Sequence, residues 1–292
     1  MGAQYRFPAP SPQGREARRP VGPRTDGSSG FPARTAEPAS RRFRTMTRFE
    51  GRTALVTGAG SGLGRATALA LAAEGARVAC LDIAADAAEK TAADADGQAV
   101  AIGVDVSDPA SVKAGVAAAA EQLGRPSLLI NCAGIGRFEH THLVPFEDWQ
   151  RILGVNLTGT FLMCQAAIPH FLDGGGVIVN IASNAGIKAQ PYSAAYCASK
   201  AGVVHLTKCL ADEYLKRGIR ANCIAPGGIE TPLQQEFMKM PEGVDWKAFR
   251  KVMTPLGNST PEEIAGVALF VASDAARYMT GAVVSVDGGI TV

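Results

Sequence analysis

The stretch TALVTGAGSGLGRATALALAAEGARVACLD, Thr53 to Asp82, holds strand, turn, helix and strand in immediate succession. Thr53 to Thr57 is an apolar, β-branched run of strand length, and Leu63 to Glu74 sets Ala66, Leu69, Ala70 and Ala73 on one helical stripe. Between them, glycines at 58, 62 and 64 let the backbone turn tightly and come close to a pyrophosphate. The helix that follows aims its first amides, with Ser61 and Leu63 beside them, at that negative charge. The second strand ends at Asp82, where a dinucleotide fold presents a carboxylate to the adenosine ribose hydroxyls.

Outward from this unit the alternation continues. AVAIGVDV, SLLINCAG, VIVNIAS, RANCIAP and AVVSVDGG read as further strands. Helices are predicted over Ala84–Ala93, Pro109–Leu123, a long span near Phe146–Phe171, the segment around Tyr196 and Lys200, and Pro261–Ala272. Continuous apolar strands separated by helices mean a parallel sheet covered on both faces. Right-handed crossovers then give an α/β, Rossmann-type doubly wound fold with a mainly seven-stranded sheet, one domain over residues 49–292, and its ligand crevice at the carboxyl ends of the strands.

Residues 1–48 read differently. They carry ten arginines, no lysine and three acids, so the net charge of +2 divides into +7 for this extension and −5 for the rest. Rich in proline and glycine and without hydrophobic periodicity, the extension is expected to be disordered. The arginines leave open an arm for nucleic acid or an acidic partner, an export signal lacks its apolar region, a transit peptide would carry fewer acids and less proline, and a translation start at Met46 is the alternative expected.

Other classes are excluded by pattern. There is no GxxxxGK phosphate loop, Ser61 lacks the flanking glycines of a nucleophile elbow, and the apolar runs are broken short of a membrane span. His140 and His142 at i, i+2 do not form a metal motif, so no metal is expected. The six cysteines show no CxxC spacing and read as reduced thiols of a cytoplasmic protein.

Tyr196 and Lys200 stand one helical turn apart in YCASK. Taken with TGAGSGLG, NCAG at 131–134, PGGIETP from Pro226 and VDGG from Val286, this segment resembles the short-chain dehydrogenase/reductases over nearly all of residues 50–290. Cysteine replaces the second asparagine of the family's NNAG. The resemblance implies Tyr196 as general acid/base, Lys200 as the charge that lowers its pKa, Ser183 as hydrogen-bond partner of the substrate oxygen, and Asn156 as holder of a relay water. A phenol near pKa 10 must drop by ~3 units to act at neutral pH, which takes about 4 kcal/mol of phenolate stabilisation.

The same resemblance implies a cofactor site formed by Gly58, Ser61, Gly62, Leu63, Gly64, Asp82, Ile83, Asp105, Val106, Asn131, Ala133, Gly134, Tyr196, Lys200, Pro226, Gly227, Ile229 and Thr231, with Thr57 structural. Asp82 followed by Ile83, with no basic residue at either position, favours NAD over NADP, although Arg65 stands close enough in sequence to matter. The expected activity is hydride transfer between NAD(H) and a secondary alcohol or ketone. An NADPH-dependent 3-oxoacyl thioester reductase and a non-catalytic dinucleotide sensor are the alternatives. Residues 230–258, with Phe237, Met238, Met240, Trp246 and Phe249, are expected to form a lid over a largely apolar small-molecule substrate. The resemblance also implies a homotetramer, with no nucleic-acid or membrane partner.

Overall fold

The computed structural model describes residues 47–292 apart from residue 238. The expectations for the extension and for Met46 therefore lie outside the described residues, except that Arg48 pairs with Glu74.

Seven strands form one parallel sheet: β1 Thr53–Thr57, β2 Arg77–Asp82, β3 Ala99–Gly103, β4 Leu128–Asn131, β5 Gly176–Ile181, β6 Ile219–Pro226 and β7 Val283–Val286. Their order is β3-β2-β1-β4-β5-β6-β7, so the chain winds outward in one direction from β1 and then in the other from β4. The strands are mainly apolar because both faces of the sheet are covered. Ala54, Val56, Val78, Cys80, Leu128 and Ile130 point to one side, while Leu55, Ala79, Leu81 and Leu129 point to the other. Helices α1 (Gly62–Ala73), α2 (Ala85–Ala93) and α9 (Pro261–Ala272) cover the first face. Helices α3 (Pro109–Leu123), α5 (Gly159–Phe171) and α6 (Ala194–Glu213) cover the second. Shorter helices α4 (Phe146–Leu153), α7 (Pro232–Phe237) and α8 (Trp246–Phe249) lie at the strands' carboxyl ends or lead to them.

Local chemistry sets several boundaries. Asp108 caps α3 by accepting from the amides of Ala110 and Ser111, both at 3.1 Å, with Pro109 entering the first turn. Thr260 and Glu263 form a reciprocal capping box at the start of α9. At the other end of α9, the guanidinium of Arg220 donates to the carbonyls of Val271 and Ser273 at 3.1 and 3.0 Å.

The long helix expected over Phe146–Phe171 is present as one unbroken helical span with a local irregularity. A π turn at Gly154–Thr158 joins α4 to α5. By length and composition the 26-residue span could cross a membrane. In this fold it packs Met163, Cys164, Ala167 and Phe171 into the core against the sheet.

Candidate active site

Two clefts of about 610 Å³ each open at the carboxyl edge of the sheet and meet at Ser183 and Tyr196. The first follows the ends of β1, β2 and β4, where winding reverses direction, and the second lies under the lid.

The first cleft is shaped mainly by backbone. Gly58 has φ +66°, and a Cβ there would stand 3.0 Å from Ala133 Cα. A Cβ on Gly64 would come within 2.0 Å of the Gly58 carbonyl oxygen, so the turn closes only with glycine. Ser61 caps α1 without a side-chain hydrogen bond, leaving the helix's first amides to face the cleft. Thr57 Oγ1 accepts from the amides of Cys132 and Ala133 at 3.0 and 3.1 Å, fastening β1 to the loop after β4. Asp82 accepts from Gly60 N at 2.8 Å and Ala84 N at 2.9 Å, which fixes its carboxylate at the cleft wall beside Ile83. Asp105 accepts from the amide and hydroxyl of Ser107 and lines the same wall with Val106. Glycine backbone, open helix amides and one oriented carboxylate are the chemistry that a dinucleotide's pyrophosphate and ribose require.

The structure brings nearly all the expected cofactor residues to this cleft: Gly58, Ser61, Gly62, Leu63, Gly64, Asp82, Ile83, Asp105, Val106, Ala133, Gly134, Tyr196, Lys200, Pro226, Gly227, Ile229 and Thr231. Asn131 is the correction. Its side chain turns into the protein, donating to Asn180 Oδ1 at 2.9 Å, and Asn180 in turn donates to Thr207. Asn131 therefore braces the cleft floor from beneath and does not line it. Its own Oδ1 is buried without a partner.

At the junction of the clefts Lys200 is only 4% exposed, and its Nζ donates to the Ile181 carbonyl at 2.8 Å. Burial lowers its pKa from 10.5 to about 8, against a smaller opposing effect of Cys132. Nζ stands 5.7 Å from the centre of the Tyr196 ring. Burial outweighs the Ser183 hydrogen bond at Tyr196 and pushes the phenol up to about 12. The expected lowering of the phenol by Lys200 is thus absent from the protein alone, because the cost of burying the phenolate exceeds what these neighbours return. Ser183 ends the segment after β5, donates to Asn184 Oδ1 at 3.0 Å and accepts from Ala185 N.

Asn156 sits in the π turn. Its side chain accepts from Ile135 N at 2.8 Å and donates to Ile135 O at 2.9 Å and Ser199 Oγ at 3.0 Å. This explains an asparagine inside a helical span: its amide holds the loop after β4 to α6. Asn156 Oδ1 and Lys200 Nζ flank Gly134, each within 3.5 Å of where a Cβ there would stand.

The second cleft has an aromatic wall. Phe237 meets Tyr196 and Phe138 edge-on at 4.8 and 4.9 Å, and Phe249 meets Phe138 at 5.1 Å. The lid segment springs from a short bridge between Ile229 and Ser259. Its outer end is fastened at two points. Tyr192 Oη accepts from Asp245 N at 2.8 Å, and His140 Nε2 lies 2.8 Å from the Glu242 carbonyl. Ile290 closes another side, with its carbonyl accepting from Lys188 Nζ at 2.6 Å.

Sequence reasoning missed Ile135, Arg151 and Val155 in the first cleft and Phe138, Asn184, Gln190 and Ile290 in the second. Arg151 follows Glu147 and Asp148 and reads as a solvated helix face. Phe138 and Ile290 come from segments without periodicity. Asn184 alone carried a signal, as the polar neighbour of Ser183 at a strand end.

A family model described as enoyl-(acyl carrier protein) reductase matches residues 58–291. The chain is 44% identical over 249 residues to the D-threitol dehydrogenase of Mycolicibacterium smegmatis, covering 84% of this chain and 95% of that protein. It is 42% identical to the (3R)-3-hydroxyacyl-CoA dehydrogenase of Rattus norvegicus, covering 81% and 95%. Among solved structures, a 3-ketoacyl-(acyl-carrier-protein) reductase from Brucella melitensis complexed with NADH matches with a TM-score of 0.77 and 37% identity, covering 83% of this chain and 99% of that one.

Proposed function

The chain belongs to the short-chain dehydrogenase/reductase family and is an oxidoreductase of secondary alcohols and ketones; on that premise we propose that it is an NAD-preferring dehydrogenase of a largely apolar alcohol. The observation that carries the cofactor preference is the wall around Asp82. The oriented carboxylate would accept from both ribose hydroxyls of NAD and repel the extra phosphate of NADP. Ile83 beside it is 72% exposed and offers no charge. Arg65, the cation nearest in sequence to the glycine turn, is held 2.6 Å from Asp94 Oδ2 on the end of α2, which lowers its availability for a phosphate.

When bound, the nicotinamide supplies or accepts the hydride. The protein's part is to hold and move the proton. Tyr196 Oη would take the proton of the alcohol during oxidation and return it during reduction. Lys200, with a pKa of about 8, is mainly charged at neutral pH and is the group available to stabilise the phenolate. Ser183 Oγ would hydrogen-bond the substrate oxygen as charge changes there. Asn156, by fixing the backbone of Ile135, would frame a water path to Lys200 beside Gly134. The 3-oxoacyl thioester alternative is not favoured.

Steady-state rates with both dinucleotides test the reading. A preference for NAD of at least about tenfold in kcat/KM, roughly 1.4 kcal/mol, is expected. Equal use of NAD and NADP would overturn it. The same reading places the protein in the cytoplasm, consistent with cysteines that are all unpaired among the described residues. It also extends to a homotetramer in which the α4–α5 span and α6 meet other copies. Phe146 and Phe161, 65% and 43% exposed, are apolar side chains that such contacts could cover. A monomeric sedimentation profile at micromolar concentration would count against that assembly.

A further inference from the structure

Among the described residues, no charged side chain lines the second cleft. The lid has bases and acids, but none of them lines the cleft. Lys239 pairs with Glu236 on the exposed side of α7, and Asp245 caps α8 by accepting from the amides of Lys247 and Ala248. Lys188, close to the cleft rim, is engaged by the Ile290 carbonyl. Nor do backbone amides gather there for an anion: Gly227 N donates to Val286 O, and Gly228 N donates to Thr254 Oγ1. An ionised group carried into this space would lose water without gaining a partner.

The polar side chains that do line it are all neutral: the hydroxyls of Ser183, Tyr196, Thr231 and Thr254, and the carboxamides of Asn184, Gln190, Gln234, Gln235 and Asn258. Carboxamides carry both donor and acceptor groups, suited to a neutral oxygen. Asn184 is the most constrained of them. It is 6% exposed, and its Oδ1 is held by the Ser183 hydroxyl. Its amide nitrogen has no acceptor among the described residues. Ser183 stands at the junction of the clefts, so the Asn184 carboxamide that it holds lines the second cleft next to that junction.

Resting on the dehydrogenase reading above, we propose that the substrate is a neutral secondary alcohol with an apolar body and a second uncharged oxygen near the carbinol. Asn184 donates to that oxygen, and counterparts with a carboxylate, sulfonate or phosphate at that place are rejected. The apolar body lies against Phe138, Phe237 and Phe249. The amides of Gln190 and Gln234 face the more distant part of the ligand.

Three probes separate the elements of the proposal: ethyl 3-hydroxybutyrate, its free carboxylate, and heptan-2-ol, which keeps the chain but lacks the second oxygen. With NAD, kcat/KM for the ester is expected to exceed that for the carboxylate by at least about 100-fold and that for heptan-2-ol by about tenfold. Gln234→Lys should narrow the handicap of the carboxylate about tenfold, since it adds the missing cation. Asn184→Ala should bring the ester and heptan-2-ol to similar values, a change of ratio that a general loss of folding would not produce. A carboxylate used as well as its ester, or an ester no better than heptan-2-ol, would overturn the proposal. Calorimetric binding to Tyr196→Phe loaded with NAD separates this from the underlying reading. If no probe is turned over by the unmodified protein but the ester still binds at least about tenfold tighter than the carboxylate, the dehydrogenase reading fails and the neutral cleft stands. Equal binding of ester and carboxylate, or binding of neither, overturns the neutral cleft.

Discussion

The two clefts that meet at Tyr196 are built by different means. In the dinucleotide cleft the decisive atoms are backbone, and a single added methyl at Gly64 would strike the Gly58 carbonyl. In the lid cleft the wall is a set of aromatic edges, and the lid is attached by isolated hydrogen bonds from Tyr192 and His140. A backbone-defined site accepts one shape of ligand and tolerates little change. A side-chain wall can be rebuilt one residue at a time, so a common reaction can serve different substrates on one scaffold.

Changes on one side should therefore leave the other side's parameters alone. The largest effect is expected where the sides join. Tyr196→Phe keeps the ring against Phe237 but removes the proton carrier, so turnover should fall by about 10²–10⁴-fold while NAD affinity by titration stays similar. Unchanged turnover would remove Tyr196 from the chemistry.

Lys200 comes next, read through stability. Its folded pKa, about 8, lies below the ordinary 10.5. Between those values the unfolded chain holds a proton that the folded one has released, so the contribution of this group rises with pH in that window, by on the order of 3 kcal/mol at full extent. Tyr196 acts in the opposite direction above pH 10, since its phenol is pushed up to about 12. Urea unfolding at intervals from roughly pH 7.5 to pH 10 should show the unmodified protein gaining stability relative to Lys200→Met as pH rises, while both lose stability near and above pH 9 because burial pushes up the thiols of Cys80, Cys132, Cys164 and Cys223. Identical profiles would mean that the ammonium is not desolvated.

A smaller change should appear in the dinucleotide cleft alone. Asp82→Ala with Ile83→Arg should shift the ratio of kcat/KM toward NADP by about tenfold or more, near 1.4 kcal/mol, without altering the ranking of alcohols. Altered alcohol ranking would break the separation of the clefts. The smallest effect belongs to the lid. Tyr192→Phe loses one hydrogen bond to Asp245 N, worth about 0.5–1.5 kcal/mol. KM for the alcohol should rise a few-fold with the NAD/NADP ratio unchanged, and a moved ratio would show that the lid reports to the dinucleotide side.

The same division explains what could be read from the chain before its structure. The inner strands were legible because both faces of each are buried, leaving apolar runs such as Ala54, Leu55 and Val56 that turn alternately to two cores. The dinucleotide cleft was legible because backbone constraints leave glycines at fixed places, with Asp82 at a strand end. Asn131 was misplaced because sequence position at a strand's carboxyl end does not tell which way a side chain turns. The second cleft was mostly illegible: Phe138, Gln190 and Ile290 reach it from irregular segments far apart in the chain. The direction of the phenol's pKa in the protein alone was not legible either, because a lysine one turn away can be counted in sequence while the burial of both groups cannot.

The π turn at Gly154–Thr158 has an implication for how this chain tolerates length change. Such a turn carries a residue more than the regular helix around it would need. Removing one residue there would heal the helix and improve its hydrogen-bond ladder, and α4 and α5 would keep their faces because the π turn has already absorbed the extra residue. What would be lost is the bulge that carries Asn156, and with it the hold on Ile135. The irregularity is thus the point at which a deletion that favours local regularity would release the loop after β4 from the helix, and a single-residue insertion elsewhere in Phe146–Phe171 would have no comparable place to be absorbed.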